Sequence, residues 1–230
     1  MMTNSAALRT KFSLAAPALR AAAARLWQPD GLGQSFPAYL STMHTVIRAS
    51  VPLMELAARR CVELGPSDPV AGRLHAYLTE HIAEERYHDE WLLADLAALG
   101  ADPGQPLRDQ PPPVVASLVG AQYYWIAHYH PVVLLGYIAV LEDNAPAGWF
   151  ADWIVSTSDV PEAAVRTVRA HAELDRGHAD AVFDLLDSLE LPTALQHAVA
   201  VSGLYTIDSL VGLFARMTKG DRVWLSTGTR

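Results

Sequence analysis

The stretch from 163 to 189, AAVRTVRAHAELDRGHADAVFDLLDSL, decides how the chain is read. Valine, leucine and alanine return in it every three or four residues, which is the pattern of a long amphipathic helix. At about 100° of turn per residue, offsets of four and seven bring Asp175 and His178 back to within roughly 40° of His171. Two imidazoles and one carboxylate therefore share a stripe. The same spacing occurs upstream in TEHIAEERYHDEWLL (79–93), as His81, Glu85 and His88. Two helices with such stripes can face each other and enclose metal, as carboxylate-bridged centres in helical bundles do. A single triple among nine histidines and twenty-five acids is weak, and a solvated face explains it as well; the repetition carries the weight. Gly177 lies inside the second stripe, where a mid-helix glycine costs roughly 1 kcal/mol relative to alanine. That fits a need for room beside the ligands, or merely close helix packing.

Working outward, helical patterns cover the rest of the chain. A short helix is expected over about 13–27, after a loose start, and GLGQ at 31–34 breaks it. A long helix follows over about 36–64, kinked at Pro52, and another over about 69–99 carries the first stripe and ends on Gly100 as a C-cap. Five prolines between Gly100 and Pro113 exclude regular helix or an internal strand there. Helices are expected again over about 114–128 and through the apolar run PVVLLGYIAVLEDNAP (131–146), which reads as a central buried helix. GWFADWIVSTS (148–158) also looks helical. Ser158 or Asp159 then caps the helix of the second stripe, with Pro161 in its first turn. A last helix covers about 192–218. No alternating strand pattern occurs, so the fold class is all-α, with roughly seven helices in a single domain over 1–230; residues 1–12 and 220–230 are expected to be flexible tails.

Composition narrows the function. The hydrophobic share of 51% and charged share of 18% mark a globular chain. The formal charge of −8 argues against a nucleic-acid partner, which favours a basic face. With Cys61 as the one cysteine there is neither a disulfide framework nor a thiolate cluster, which fits a reducing cytoplasm. No apolar run is expected to span a membrane. There is no glycine-rich nucleotide fingerprint after a strand, hence no expected flavin or nicotinamide site.

Glu142 is the third piece of the site. A carboxylate directly after VVLLGYIAVL is costly to bury unless paired or metal-bound; as a helix-end residue reaching water it needs no partner. With the stripes it completes a set of three carboxylates and three imidazoles: Glu85, His88, Glu142, His171, Asp175 and His178. Iron and manganese accept such mixed oxygen and nitrogen ligands.

Glu85-x-x-His88, a solitary Glu142 on a middle helix and His171-x-x-x-Asp175-x-x-His178, together with YYWIAHYHPVVLLGYIAVLE (123–142), resemble the haem-oxygenase-like di-iron oxidases. The resemblance spans about residues 36–215. It implies a seven-helix haem-oxygenase-like bundle whose pocket holds two ferrous ions, without haem, and uses O2 as co-substrate. It implies oxidation of a small molecule in natural-product biosynthesis, by N-oxygenation of an amine or by cleavage, decarboxylation or desaturation of a small amino or fatty acid. With no nucleotide fingerprint and no cysteine cluster, electrons for re-reduction are expected from a separate reductase, a small reductant or the substrate, and a homodimer is left open. Many members carry a further carboxylate ligand; Glu55 is the candidate for it, with Glu63 the alternative. His81 is a nitrogen ligand, a donor to another ligand, or a core histidine. Glu84 is expected to be solvated, since it points about 100° away from Glu85. His128 and His130 are expected to serve a turn, Cys61 to be buried, and Tyr123, Tyr124, Trp125 and Tyr137 to line core or pocket. A hydrolase like the thiaminase-type relatives and a non-catalytic helical binding protein are the competing classes.

Overall fold

A computed structural model describes residues 3–218, apart from the side chains of Asp175 and Arg176. Among the described residues every regular element is helical. In chain order these are α1 (Asn4–Leu26), α2 (Leu32–Ile47), α3 (Ser50–Leu64), α4 (Ala71–Glu85), α5 (His88–Ala98), α6 (Gln105–Arg108), α7 (Pro113–His128), α8 (Leu134–Asp143), α9 (Trp149–Thr157), α10 (Arg166–Ser188) and α11 (Thr193–Thr218). Four single 3₁₀ turns link some of them, among them Pro131–Val133 and Glu162–Ala164.

The all-α expectation holds, but the chain is cut more finely than periodicity suggests. Helix α1 starts at Asn4, capped by the Thr3 hydroxyl accepting from the Ala6 amide, so the expected loose start is ordered helix. The expected tail from 220 lies outside the described residues. The 36–64 helix is two helices. Pro52 does not kink a continuous helix; it falls in the first turn of α3, where its missing N–H leaves no bond unmade. Pro161 precedes a 3₁₀ turn, and α10 begins only at Arg166. Gly100 closes α5 as expected: it has φ 76, its amide donates to Ala97 O, and the next amide, of Ala101, reaches back to Leu96 O.

The break that matters most separates α4 from α5. Arg86 turns to extended backbone and Tyr87 takes φ 74, ψ 7, the left-handed region. Among the described residues Tyr87 is the non-glycine with positive φ. Such a conformation costs about 1–2 kcal/mol. The Tyr87 side chain is exposed and recovers little by packing. Asp89 and Glu90 in the first turn of α5 suit its positive end.

Helix α8 is the central strut, buried from Leu134 to Val140. It approaches α11 at backbone distance: a Cβ on Gly136 would lie 2.1 Å from Val199 O and 2.7 Å from Gly203 N. Gly203 in turn admits the Phe12 ring of α1, whose Cζ would be 2.1 Å from an added Cβ. Helix α11 is long and apolar enough to cross a membrane, contrary to the expectation that no run is, but half of that stretch is buried against the rest of the bundle. Two cores result. One gathers around α8 and α11; the other, with Leu40, Leu92, Phe150 and Ile154, gathers around α2, α5 and α9. Helix α10 joins them. Val165 and Val168 at its start belong to the second core, and Val182, Phe183 and Leu186 to the first. His171 and His178 fall between.

Candidate metal centre

Helices α4, α8 and α10 each deliver one or two polar side chains to this seam. Helix α4 presents His81 and Glu85 one turn apart on its buried face, α8 presents Glu142 from its last turn, and α10 presents His178. One ligand atom from each of these four side chains lies within 4.8 Å of all the others. His178 Nδ1 is 3.4 Å from Glu85 Oε1 and 3.4 Å from Glu142 Oε2, and His81 Nε2 is 3.4 Å from Glu142 Oε1. Glu85 Oε1 and His178 Nδ1 are buried, yet neither has a hydrogen bond. Burying such atoms without a hydrogen bond is costly. Lone pairs converging on one point fit a cation there, so these residues suit a metal ion.

Without a cation the site holds its charge by ion pairing. Glu142 facing His178 raises that imidazole from 6.5 to about 9, against its burial. Burial alone would raise the Glu142 carboxyl, but His178 and His81 bring it down from 4.5 to about 2. His81 is pulled down by burial and, more strongly in sum, up by Glu142 and Glu85.

Glu84, expected to be solvated, is half-exposed but has a role. Its Oε2 lies 3.4 Å from His81 Nδ1 and 3.4 Å from His178 Nε2. One carboxylate thus faces the outer nitrogen of both imidazoles. With those nitrogens protonated, the inner ones, His81 Nε2 and His178 Nδ1, are free to coordinate. Helical rotation separates Glu84 from Glu85, but only three residues separate it from His81, and its long side chain reaches across to α10.

The second carboxylate oxygen of Glu85 points the other way. Glu85 Oε2 is 3.1 Å from His88 Nδ1, and the His88 ring lies 5.0 Å, centroid to centroid, from that of His171. The break at Tyr87 makes this possible, because Glu85 and His88 belong to different helices. Trp91 packs on His88 at 4.0 Å, and Tyr77 stacks on His81 at 5.4 Å. Neither contact is visible in the sequence alone.

Of the residues singled out from sequence, Glu85, His88, Glu142, His171 and His178 therefore converge, and His81 joins them. The Asp175 side chain lies outside the described residues. Glu55 is half-exposed and faces Arg86 at 3.8 Å, and Glu63 pairs with Arg60. Gly177 has nothing within 4 Å of an added Cβ, so it is not there to make room. His130 serves its turn, accepting from the Val132 amide and meeting Asp68 at 3.1 Å. Burial pushes the Cys61 thiol up to about 12, which suits no nucleophile. Tyr137 is buried as expected, whereas Tyr123 and Tyr124 are exposed.

A cavity of about 430 Å³ opens beside the cluster. Glu85, Glu142 and His171 are among the polar residues that line it, and its apolar lining includes Leu19, Met43, Ile47, Leu92, Leu210 and Phe214. That size is in the range of small-molecule sites.

A crystal structure from Shewanella denitrificans, described as a domain of unknown function with a heme oxygenase-like fold, superposes on this chain with a TM-score of 0.77. It covers 96% of both chains at 18% identity. The fold is haem-oxygenase-like. A TenA homolog from Pseudomonas syringae pv. tomato shares it at a TM-score of 0.65 and 14% identity, over 90% of this chain and 92% of that one. These identities carry the fold alone. No family model matches the sequence, and no curated protein matches it.

Proposed function

We propose that the protein is an O2-dependent oxidoreductase with two iron ions, acting on a small molecule. The observation that carries this reading is the divided carboxylate of Glu85. Oε1 faces His178, in the group with Glu142 and His81, while Oε2 faces His88, which stands against His171. A carboxylate with a nitrogen set on each side would suit two cations. His81, Glu142 and His178 would hold one ion, His88 and His171 the other, and Glu85 both. Bound iron would supply the activation of O2 that side chains lack. The protein's own part is positional. Glu84 orients two imidazoles, Glu142 balances their charge, and the apolar lining of the cavity keeps water from His171 and Glu85 where they meet the substrate. The oxidation is N-oxygenation of an amine in keeping with the resemblance, and re-reduction needs an electron donor from outside the chain.

Anaerobic titration of the metal-free protein with Fe(II) tests this. The expected result is saturation near two equivalents, O2 consumption by the loaded protein, and loss of one equivalent in His81→Ala. Saturation at one equivalent that His88→Ala leaves unchanged would refute the two-iron reading. Absence of stoichiometric binding would leave a binding protein on this scaffold.

A further inference from the structure

Helix α10 is not capped by its own neighbours in sequence. Val165 precedes it and offers no side-chain acceptor, and Ser158 and Asp159 stand well before it. A bond from the Arg169 amide to Val165 O opens its ladder, so the Thr167 amide is among the first-turn donors that a helix leaves unpaired. That donor is taken by Asp95 of α5, 72 positions away in sequence, whose Oδ2 accepts from it at 2.8 Å. Asp95 is fully buried, and its Oδ1 has no hydrogen bond. Burial pushes its carboxyl up, against the pull of Thr167 and Arg166. A serine or asparagine just before the helix would satisfy a first-turn donor, worth about 1 kcal/mol, without burying a carboxylate. What this remote cap does and a local one does not is tie α10 to α5.

Each of the two helices carries a histidine near this tie. On α5, His88, Leu92 and Asp95 follow one another at offsets of four and three, on one face. On α10, Thr167 stands four residues before His171, about one turn or 6 Å of rise. The His88 and His171 rings meet at 5.0 Å. The same two helices are thus joined twice, by a hydrogen bond and by the ring pair. Leu92, Leu96, Val165 and Val168 pack in the same core. Their burial is non-directional, whereas the hydrogen bond from Thr167 to Asp95 prefers one alignment. We infer that Asp95 is a positioning residue: by accepting from the Thr167 amide it pins the first turns of α10 to α5 and so holds His171 against His88. That this histidine pair receives an ion rests on the two-iron reading; the pinning does not.

The test uses the full-length, metal-free protein with its histidine rings labelled for NMR. In the wild type the Thr167 amide should exchange slowly with solvent, and the rings of His88 and His171 should show a mutual nuclear Overhauser effect. Asp95→Leu removes the acceptor and puts apolar volume in its place, whereas Asp95→Asn keeps an acceptor oxygen. The His88–His171 effect is expected to be lost in Asp95→Leu and kept in Asp95→Asn. The His81–His178 effect, between rings 4.8 Å apart, should persist in both, since Glu85 and Glu142 face His178 further along α10. A residue that only stabilises the fold would shift the melting temperature and leave both effects in place in the folded protein. If Asp95→Leu does not fold, exchange at the wild-type Thr167 amide and the ring contacts in Asp95→Asn still decide. With Fe(II) added, Asp95→Leu should weaken by about tenfold the equivalent that His88→Ala removes, and spare the one that His81→Ala removes. Survival of the His88–His171 effect in Asp95→Leu, its loss in Asp95→Asn, loss of both ring contacts together, or fast exchange at Thr167 would each overturn the inference. A wild type that saturates at one equivalent would refute the two-iron reading and leave the ring-contact result standing.

Discussion

Metal binding at this cluster should be strongly pH-dependent, and the structure sets the size of the effect. His178 is held protonated by Glu142, with a pKa of about 9. A metal must displace that proton from Nδ1 before it can coordinate. At pH 7, two units below the pKa, only about 1% of the imidazole is neutral, so protons weaken apparent affinity about 100-fold. Each unit of pH gained between 7 and 9 should tighten binding about tenfold. Calorimetric titration with Fe(II) under anaerobic conditions, in two buffers of different ionisation enthalpy, counts the protons released; one or more is expected at pH 7. Affinity that is flat from pH 7 to 8 with no proton release would refute the placement of His178 in the coordination sphere. The metal-free protein should show the complementary trend. His178 is raised on folding, so its contribution to stability is full below pH 6.5 and is lost as pH rises through about 9. Glu142 is depressed, so its contribution is full above pH 4.5 and is lost as pH falls through about 2. Between these limits the ion pair stabilises the empty site most.

Four further outcomes follow from particular residues. Glu84→Gln keeps the shape but weakens the hold on two imidazoles; metal affinity should fall about 10- to 100-fold, with little change in melting temperature. Gly136→Ala drives a methyl into the backbone of α11 and should destabilise by about 3 kcal/mol or more, seen as loss of soluble protein or a large drop in urea midpoint. Tyr87→Gly relieves the left-handed strain, while Gly177→Ala adds helix propensity in open space. Each should raise the melting temperature by about 2–4 °C in differential scanning fluorimetry, and a fall in either would contradict the local geometry.

Part of the cluster was legible because its histidines and acids recur at helical spacing. His171 and His178 sit on one continuous helix, so the rotational argument carried over to the fold. It carried over to His81 and Glu85 for the same reason. It failed at His88, since the helix breaks between Glu85 and His88 at Arg86–Tyr87, where no glycine or proline marks a break. The split at Arg48–Ala49 was hidden in the same way, with Pro52 drawing the eye a few residues too far along. Glu84 was missed because its partners lie on two helices, and rotation about one axis says nothing about a second. Glu55 shows the converse: it sits on a helix that passes nearby, but its carboxylate turns to Arg86. The haem-oxygenase-like architecture was reached through the resemblance, and only the coordinates show which loops the chain closes to build it.

The placement of the cluster on the seam between two cores bears on how the molecule assembles. His81 and Glu142 belong to helices of the first core, His88 opens a helix of the second, and α10 threads both. The residues of the cluster come from points up to about a hundred positions apart in sequence, so closing the site requires long loops to be closed first. A cation bound there acts as a rivet across the joint: it adds nothing to either half alone and stabilises their union by an amount set by its concentration relative to Kd. Partial unfolding that parts the two halves would release the ion, and loading would suppress that opening before it changed global melting.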